Sequence, residues 1–298
     1  MRVRELLSTG RPSFSFEFFP PKDAEGFVSL REALAALHEL RPTFVSVTYG
    51  AGGQTRRQTL ELVAHLRADY GLEPVAHLTC VDASRTELLA VLQRFASAGI
   101  ENVLALRGDP PVGSGPFAPH PEGLRYASEL AALSRQNFGF CLAGACYPEG
   151  HVEAPSLQVD IQHLKTKVAA GCEYLITQLF FDNAKYFDFV AKVRAAGIGV
   201  PIIPGIMPIT NVNQVERFTK MCGATIPEPL LGELRRLRDD HHAVLSLGVA
   251  QATAQCLELL HRGAPGVHFY TLNKSPATRT ILTALRTAYP PAREPAGS

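Results

Sequence analysis

Two carboxylates in this chain of 298 residues stand where proton chemistry can be done. Glu17 interrupts the aromatic run Phe16, Phe18, Phe19 and is followed at once by Pro20 and Pro21, so a carboxyl group sits in an apolar strand that must end there. Desolvation in such a place favours the neutral acid, the form a proton donor needs. An outward-facing Glu on a strand flank satisfies the same pattern. Asp109 follows Arg107 and Gly108 where the apolar run at 102–106 stops, and Pro110 and Pro111 fix the backbone behind it. It is either an ion-pair partner of Arg107 or the second carboxylate of a site.

A second group of residues suits a flat, polar ligand. In YPEGH at 147–151, Tyr147, Glu149 and His151 crowd one loop with groups that stack on a heterocycle and bond to its edge, unless they are incidental to a Pro/Gly turn. Thr48 and Tyr49 precede Gly50, Gly52 and Gly53, a spacing that lets backbone approach a ligand or simply turns the chain. Gln178 is the one amide in the apolar run ITQLFFD, and a buried amide needs a neighbouring strand or a ligand as partner. Asp160 and Lys167 lie two turns apart on one helix face, where they suit a ribose hydroxyl and a phosphate or are merely solvated. His77 shares a strand with Thr79 and Cys80, and a hydrogen-bonded core histidine is its plainer reading. No second His stands near it at HxH or HxxxH spacing, so no metal is expected. The patterns G-x-G-x-x-G, G-x-x-x-x-G-K-[ST] and G-x-S-x-G are absent, which leaves any nucleotide to be held by other means.

These residues fall at the ends of recurring apolar segments. Strands are predicted at 13–19, 43–49, 74–80, 102–107, 139–147, 173–181, 200–208 and 266–273. Helical periodicity lies between them, at 27–40, 57–69, 84–98, 122–137, 156–170, 183–196 and 211–222, with a longer two-helix insertion at 228–262 before the last strand. Ser84 with Glu87 reads as a capping box, Asn183 and Asn211 as N-caps, and Gly99, Gly171 and Gly197 as helix-ending glycines. Alternation of strand and helix implies a parallel sheet, and eight repeats are the number that closes a (β/α)8 TIM barrel. An open doubly wound sheet is the alternative. In either fold the carboxyl ends of the strands carry the ligand, so the polar clusters there read as site.

Composition bounds the rest. A barrel of about 250 residues is typical, so this length suits one such domain over 1–288 with a disordered tail at 289–298. An apolar fraction of 46% with 19% charged residues excludes disordered and fibrous classes. Net charge of +1 and the lack of a Lys/Arg block argue against nucleic acid. Six scattered cysteines without a C-x-x-C pair read as reduced and buried. Polar Ser8, Thr9 and Arg11 interrupt what a secretory signal would need, and no apolar run of about 18 residues spans a membrane, so a cytoplasmic protein is expected.

SFEFFPPK, FVSVTYGA, HLTC, LALRGDPP, YPEGH, ITQLFFD, IIPGIMPI and HFYTLN occur in this order over roughly residues 12–286, and together they resemble the methylenetetrahydrofolate reductase family in its short form. The resemblance implies a barrel holding non-covalent FAD, which reduces 5,10-methylenetetrahydrofolate to 5-methyltetrahydrofolate with NADH or NADPH in ping-pong order, in one-carbon metabolism and methionine biosynthesis. It implies that Glu17 protonates folate N10, and that Asp109 holds the pterin and tunes charge near the flavin. Thr48, Tyr49, His77, Arg107, Gly108, Asp109, Tyr126, Ala127, Tyr147, His151, Ala154, Asp160, His163 and Lys167 match family positions around FAD. Gln178, Gln214, Phe218 and Lys274, with Asp109, match the substrate side. At His163 and Thr166 some bacterial members have Asn and Arg, and Lys274 stands for an Arg, keeping the charge without the bidentate fork. The segment 112–121 is a candidate loop over the flavin. A homodimer or homotetramer is implied, as is the lack of a C-terminal domain for inhibition by S-adenosylmethionine. From the residues alone, a flavin-free barrel lyase or isomerase using Glu17 and Asp109, and a non-catalytic folate or flavin binder, stay open.

Overall fold

Alternating strands and helices carry the chain round a sheet whose last strand pairs with its first. The computed structural model describes residues 1–21, 23–49, 53–110, 117–274 and 276–290, with backbone alone at 24 and 53–57. In chain order the elements are α1 (Val3–Leu7), β1 (Ser13–Phe18), α2 (Ala24–His38), β2 (Phe44–Val47), α3 (Gly53–Tyr70), β3 (Pro74–Thr79), α4 (Arg85–Ser97) and β4 (Asn102–Leu106). Next come α5 (Ala127–Asn137), β5 (Cys141–Cys146), α6 (Leu157–Ala169), β6 (Cys172–Thr177), α7 (Asn183–Ala195), β7 (Ile202–Ile203) and β8 (Gly205–Ile206). The chain closes with α8 (Val212–Cys222), α9 (Glu228–Arg236), α10 (His241–His261), β9 (Gly266–Tyr270) and α11 (Pro276–Ala288).

All pairings are parallel, in the order β7-β6-β5-β4-β3-β2-β1-β9-β8. The two ends of that order are halves of one segment: β7 pairs with β6, β8 pairs with β9, and only Pro204 lies between them. The sheet is therefore a closed (β/α)8 barrel, and the open doubly wound alternative is excluded. The strand expected at 200–208 is split because Pro204 has no N–H to give to a ladder. Its carbonyl still accepts from the His268 amide at 2.9 Å, which holds the closure.

Side-chain alternation divides the interior into two environments. Phe14, Phe16 and Phe18 on β1 join the main apolar layer between sheet and helices. Inside the barrel, Val3, Phe44, Val75, Leu104, Cys141, Ala143, Tyr174, Ile176 and Ile203 form a separate apolar cluster. Val3 comes from α1, a helix of five residues too short for periodicity to reveal, and its amide donates to Asn102 Oδ1 at 2.8 Å. Burying one such side chain contributes on the order of 2 kcal/mol, so α1 seals the amino-terminal end of the barrel and leaves ligands the other end.

Local signals worked where their chemistry is self-contained. Ser84 and Glu87 form the capping box, Asn211 accepts from the Gln214 amide, and Gly99, Gly171 and Gly197 have positive φ. The N-cap of α7, however, is Asp182, whose side chain accepts from the Ala184 amide. Asn183 instead faces inward and donates to the Gln255 carbonyl and to Glu258, so a tertiary contact takes the side chain that the cap would have used. Helix α5 begins at Ala127 rather than 122, because Gly123 bridges to Ser84 and keeps the preceding residues out of helix.

The two-helix insertion is α9 and α10. By length and apolarity α10 could cross a membrane, with a mean hydropathy of 1.4. It lies instead on the barrel through Val244, Gly248, Ala252, Cys256 and Leu259. All six cysteines are free, and Cys222 alone among them is not fully buried. Gly50, Gly52, Pro111, the 112–116 half of the 112–121 loop and the tail from 291 lie outside the described residues.

Candidate active site

The carboxyl end of the barrel gathers its polar groups on one wall. Ser13, Ser15 and Glu17 alternate with the phenylalanines of β1 and are buried on the opposite, inward face. Glu17 is in register with Ser46 of β2 and with Tyr270 of β9, and Ser15 with His268 of β9. The outward alternative for Glu17 is thereby excluded. Its Oε2 lies 3.6 Å from His77 Nε2 and 3.9 Å from His268 Nε2.

Burial pushes His77 down to about 4, against the smaller opposing pull of Glu17, so the contact is between a carboxyl group and a neutral imidazole at pH 7. His77 Nε2 and Thr79 Oγ1, both on β3, are buried polar atoms without a hydrogen-bond partner among the described residues. Buried polar atoms at a barrel mouth call for a partner, and a polar ligand can supply one. Deeper in, Ser15 Oγ is 2.8 Å from His268 Nδ1 and Ser46 Oγ is 3.4 Å from His268 Nε2.

A second cluster stands at the ends of β4 and β5. Gly108 has φ +84°, and a Cβ there would lie 2.6 Å from Val81 Cγ1 and 2.9 Å from Thr79 Cβ, so only glycine lets the Arg107–Asp109 turn sit down on β3. Arg107 pairs with Glu153, with Nη2 donating to Oε1 at 2.9 Å, and its guanidinium covers the Phe117 ring at 4.6 Å. Tyr147 and His151 meet edge to face with centroids 4.7 Å apart. Asp160 Oδ2 accepts from the His151 amide at 3.1 Å, and Lys167 Nζ donates to the Ala145 carbonyl at 2.5 Å. Burial lowers Lys167 from the ordinary lysine range and also lowers His151, the latter with help from Arg107. The YPEGH loop, α6 and the Arg107 turn thus form one aromatic and cationic wall.

A third feature is a cavity of about 360 Å³ lined by Pro208, Asn211, His241, Tyr270, Lys274 and Thr278, among others. Tyr270 anchors its floor by donating to the Thr177 carbonyl at 2.6 Å.

The remaining sequence candidates are distributed as follows. Thr48 and Tyr49 lie just past β2, half-buried and buried, and Ala154 sits in the loop before α6. Asp109, Tyr126, His163 and Lys274 are exposed, Tyr126 and Ala127 at the start of α5 and His163 on α6. Gln178 is not inside its strand: β6 ends at Thr177, the Gln178 amide donates to the Cys146 carbonyl, and its own Oε1 accepts from the Leu179 amide. Gln214 and Phe218 are half-buried on α8, with Phe218 packed beside Leu179, Phe181 and Met207. The sequence reading missed Ser15, Ser46 and His268. Period-2 alternation along β1 and β9 carries the signal, since Ser15 shares a face with Glu17, and His268 with Tyr270.

Comparison with known proteins gives a consistent result. A family model described as methylenetetrahydrofolate reductase matches residues 2–286. A 5,10-methylenetetrahydrofolate reductase of Escherichia coli (strain K12) is 39% identical over 276 residues, which is 93% of this chain and 91% of that protein. Methylenetetrahydrofolate reductase (NADH) 1 of Arabidopsis thaliana is 38% identical over 295 residues, which is 95% of this chain and 50% of the plant protein. The chain thus spans about half the length of such plant relatives. Among solved structures, an uncharacterised Clostridium thermocellum protein described as binding two copies of 5-methyl-5,6,7,8-tetrahydrofolic acid shares the fold. Its TM-score is 0.64 and its identity 14%, over 96% of this chain and 98% of that one.

Proposed function

Because this chain belongs to the methylenetetrahydrofolate reductase family, we propose that it reduces 5,10-methylenetetrahydrofolate to 5-methyltetrahydrofolate with NADH or NADPH through bound FAD. The observation that carries this reading is the Glu17 carboxyl group, turned into the barrel mouth beside the neutral imidazole of His77. A general acid must come within reach of the substrate atom it protonates, and Glu17 stands on the inward face of β1 at the end of the barrel where a ligand enters. In this role Glu17 gives its proton to folate N10 and opens the five-membered ring.

The residues present fit a flavin dinucleotide. The orphaned His77 Nε2 and Thr79 Oγ1 offer polar partners, the Gly108 turn brings backbone close, and Arg107 and Lys167 place two cations on the wall that Tyr147 and His151 share. Thr48, Tyr49, Tyr126, Ala127, Ala154, Asp160 and His163 complete the proposed FAD contacts. When bound, FAD supplies the hydride relay that lets nicotinamide and folate react in alternate, ping-pong turns. Asp109, Gln178, Gln214 and Phe218 serve the folate, and Lys274 brings a positive charge to the rim of the 360 Å³ cavity, where it suits an anionic tail.

The naming of plant relatives as NADH enzymes and the description of the Clostridium protein as binding 5-methyltetrahydrofolic acid agree with this chemistry. A role in methionine biosynthesis, a homodimeric or homotetrameric assembly and a cytoplasmic location rest on the resemblance alone. Purification tests the reading: the protein should be yellow, bleach anaerobically with NADH or NADPH, and recolour on addition of 5,10-methylenetetrahydrofolate. A colourless protein that cannot take up FAD overturns it.

A further inference from the structure

Where β9 closes on β1, side chains carry the hydrogen bonding past the ends of both strands. We propose that Asn273 is a positioning residue: its carboxamide takes the place of a strand neighbour beside Phe19, and so fixes the backbone behind Glu17 and the start of the Lys274 loop in one frame. This rests on the reading of Glu17 as proton donor and Lys274 as folate contact.

Backbone pairing of the two strands stops at Glu17 and Tyr270. The Phe18 carbonyl turns to the other neighbour and accepts from the Thr48 amide, just past β2, at 2.9 Å. Glu17 and Phe19 turn toward β9, which has ended at Tyr270, and Pro20 and Pro21 have no N–H with which to extend a ladder. Two side chains fill the gap. The Thr271 hydroxyl donates to the Glu17 carbonyl at 2.6 Å and accepts from the Asn273 amide at 3.2 Å. Asn273 Oδ1 accepts from the Phe19 amide, and Nδ2 donates to the Phe19 carbonyl, both at 2.8 Å. A carboxamide carries the donor and the acceptor of a peptide group, and here it satisfies both backbone groups of one residue.

The loop that carries Asn273 is held against its own preference. Leu272 and Asn273 have φ of +52° and +57°, left-handed values that a bulky apolar residue such as Leu seldom adopts. Such a conformation persists only where its surroundings over-determine it, and the bonds from Thr271 and Asn273 to β1 do so here. The Lys274 amide then donates to the Thr271 carbonyl at 2.9 Å, which ties the next residue to the same turn. Glu17 thus points into the barrel mouth from one side of the clamp, and Lys274 leaves its other side for the rim of the 360 Å³ cavity. Asparagine tolerates positive φ through its backbone alone, but glycine would do that equally well. The two bonds to Phe19 belong to the side chain.

Asn273→Gly keeps the left-handed backbone and removes both bonds to Phe19, so it separates the two roles. At saturating folate, flavin reoxidation should fall by about 10–100-fold, the scale set by a misplacement of up to about 1 Å. Half-saturation should move to higher folate concentration, because Lys274 shifts with the loop. Flavin reduction by NADH or NADPH in the same sample should stay within about twofold of the wild type, and the melting temperature within a few degrees. Amide exchange followed by NMR should show Phe19 protected in the wild type and exchanging about tenfold faster, or more, in the variant. Wild-type reoxidation in Asn273→Gly, an equal fall in both half-reactions, or unchanged Phe19 exchange overturns the inference. If the wild type does not reduce the folate at all, the proposed function fails instead, and Phe19 exchange still decides whether Asn273 holds the end of β1.

Discussion

Glu17 Oε2 and His77 Nε2 stand 3.6 Å apart although their strands, β1 and β3, are separated by β2. Side chains of alternate strands meet in this way only when a sheet closes round and points them at a common axis. The contact joins a group that can give a proton to one that burial keeps from taking it. Barrel closure and the state of the site are thus one fact.

Neutral, buried His77 makes stability depend on pH. Its folded-state value near 4 lies below the ordinary 6.5, so between these values the unfolded chain binds the proton that the folded one refuses. Stability from this group is complete above about pH 6.5 and is lost as pH falls toward 4, by roughly 3 kcal/mol in all. Urea unfolding from pH 7.5 to 4.5 should show a steeper loss for the wild type than for His77→Gln. Parallel curves would contradict the assignment.

Gly108→Ala should damage the site more than stability alone explains. The new methyl would meet the Val81 and Thr79 side chains at 2.6 and 2.9 Å, in a backbone already at φ +84°. A loss of about 2–3 kcal/mol is expected, together with weaker FAD retention. Gly99→Ala has a similar φ of +72° and no atom within 4 Å, so it should cost only about 1 kcal/mol and retain flavin normally. Thermal melts with flavin content measured on each protein make the comparison.

Docking of α10 depends on Gly248. A Cβ there would lie 1.8 Å from the Ile209 carbonyl oxygen, which is backbone and cannot move aside. Gly248→Ala should therefore destabilise by about 3 kcal/mol or more. Gly232→Ala on α9, with nothing within 4 Å, should instead stabilise by a few tenths to about 1 kcal/mol. Equal melting temperatures for the two variants would contradict the packing described.

Features written locally were legible in the sequence. Alternation in SFSFEFF already puts Ser15 and Glu17 on one face, and Ser84 with Glu87 announces α4 within four residues. The Pro pair after Glu17 and the Gly–Asp turn after Arg107 marked strand ends that the fold turns into the barrel mouth. The Ser15–His268 hydrogen bond beside Glu17 was not legible, because the two residues are 253 positions apart and meet only when β9 closes on β1. The same holds for Asn183, whose cap-like identity is overridden by α10 contacts. Periodicity could not show that β7 and β8 are one broken stave, since an apolar run reads alike on either side of a proline.

The most direct test of the central claim is the pair of anaerobic half-reactions of Glu17→Gln, followed by flavin absorbance. The variant keeps the size and polarity of the side chain and removes only its proton-donating acid. Flavin reduction by NADH or NADPH should proceed at close to the wild-type rate, while reoxidation by 5,10-methylenetetrahydrofolate should fall by about 10²–10⁴-fold. Reoxidation at the wild-type rate, or loss of both half-reactions together, would contradict the assignment of Glu17 as the proton donor.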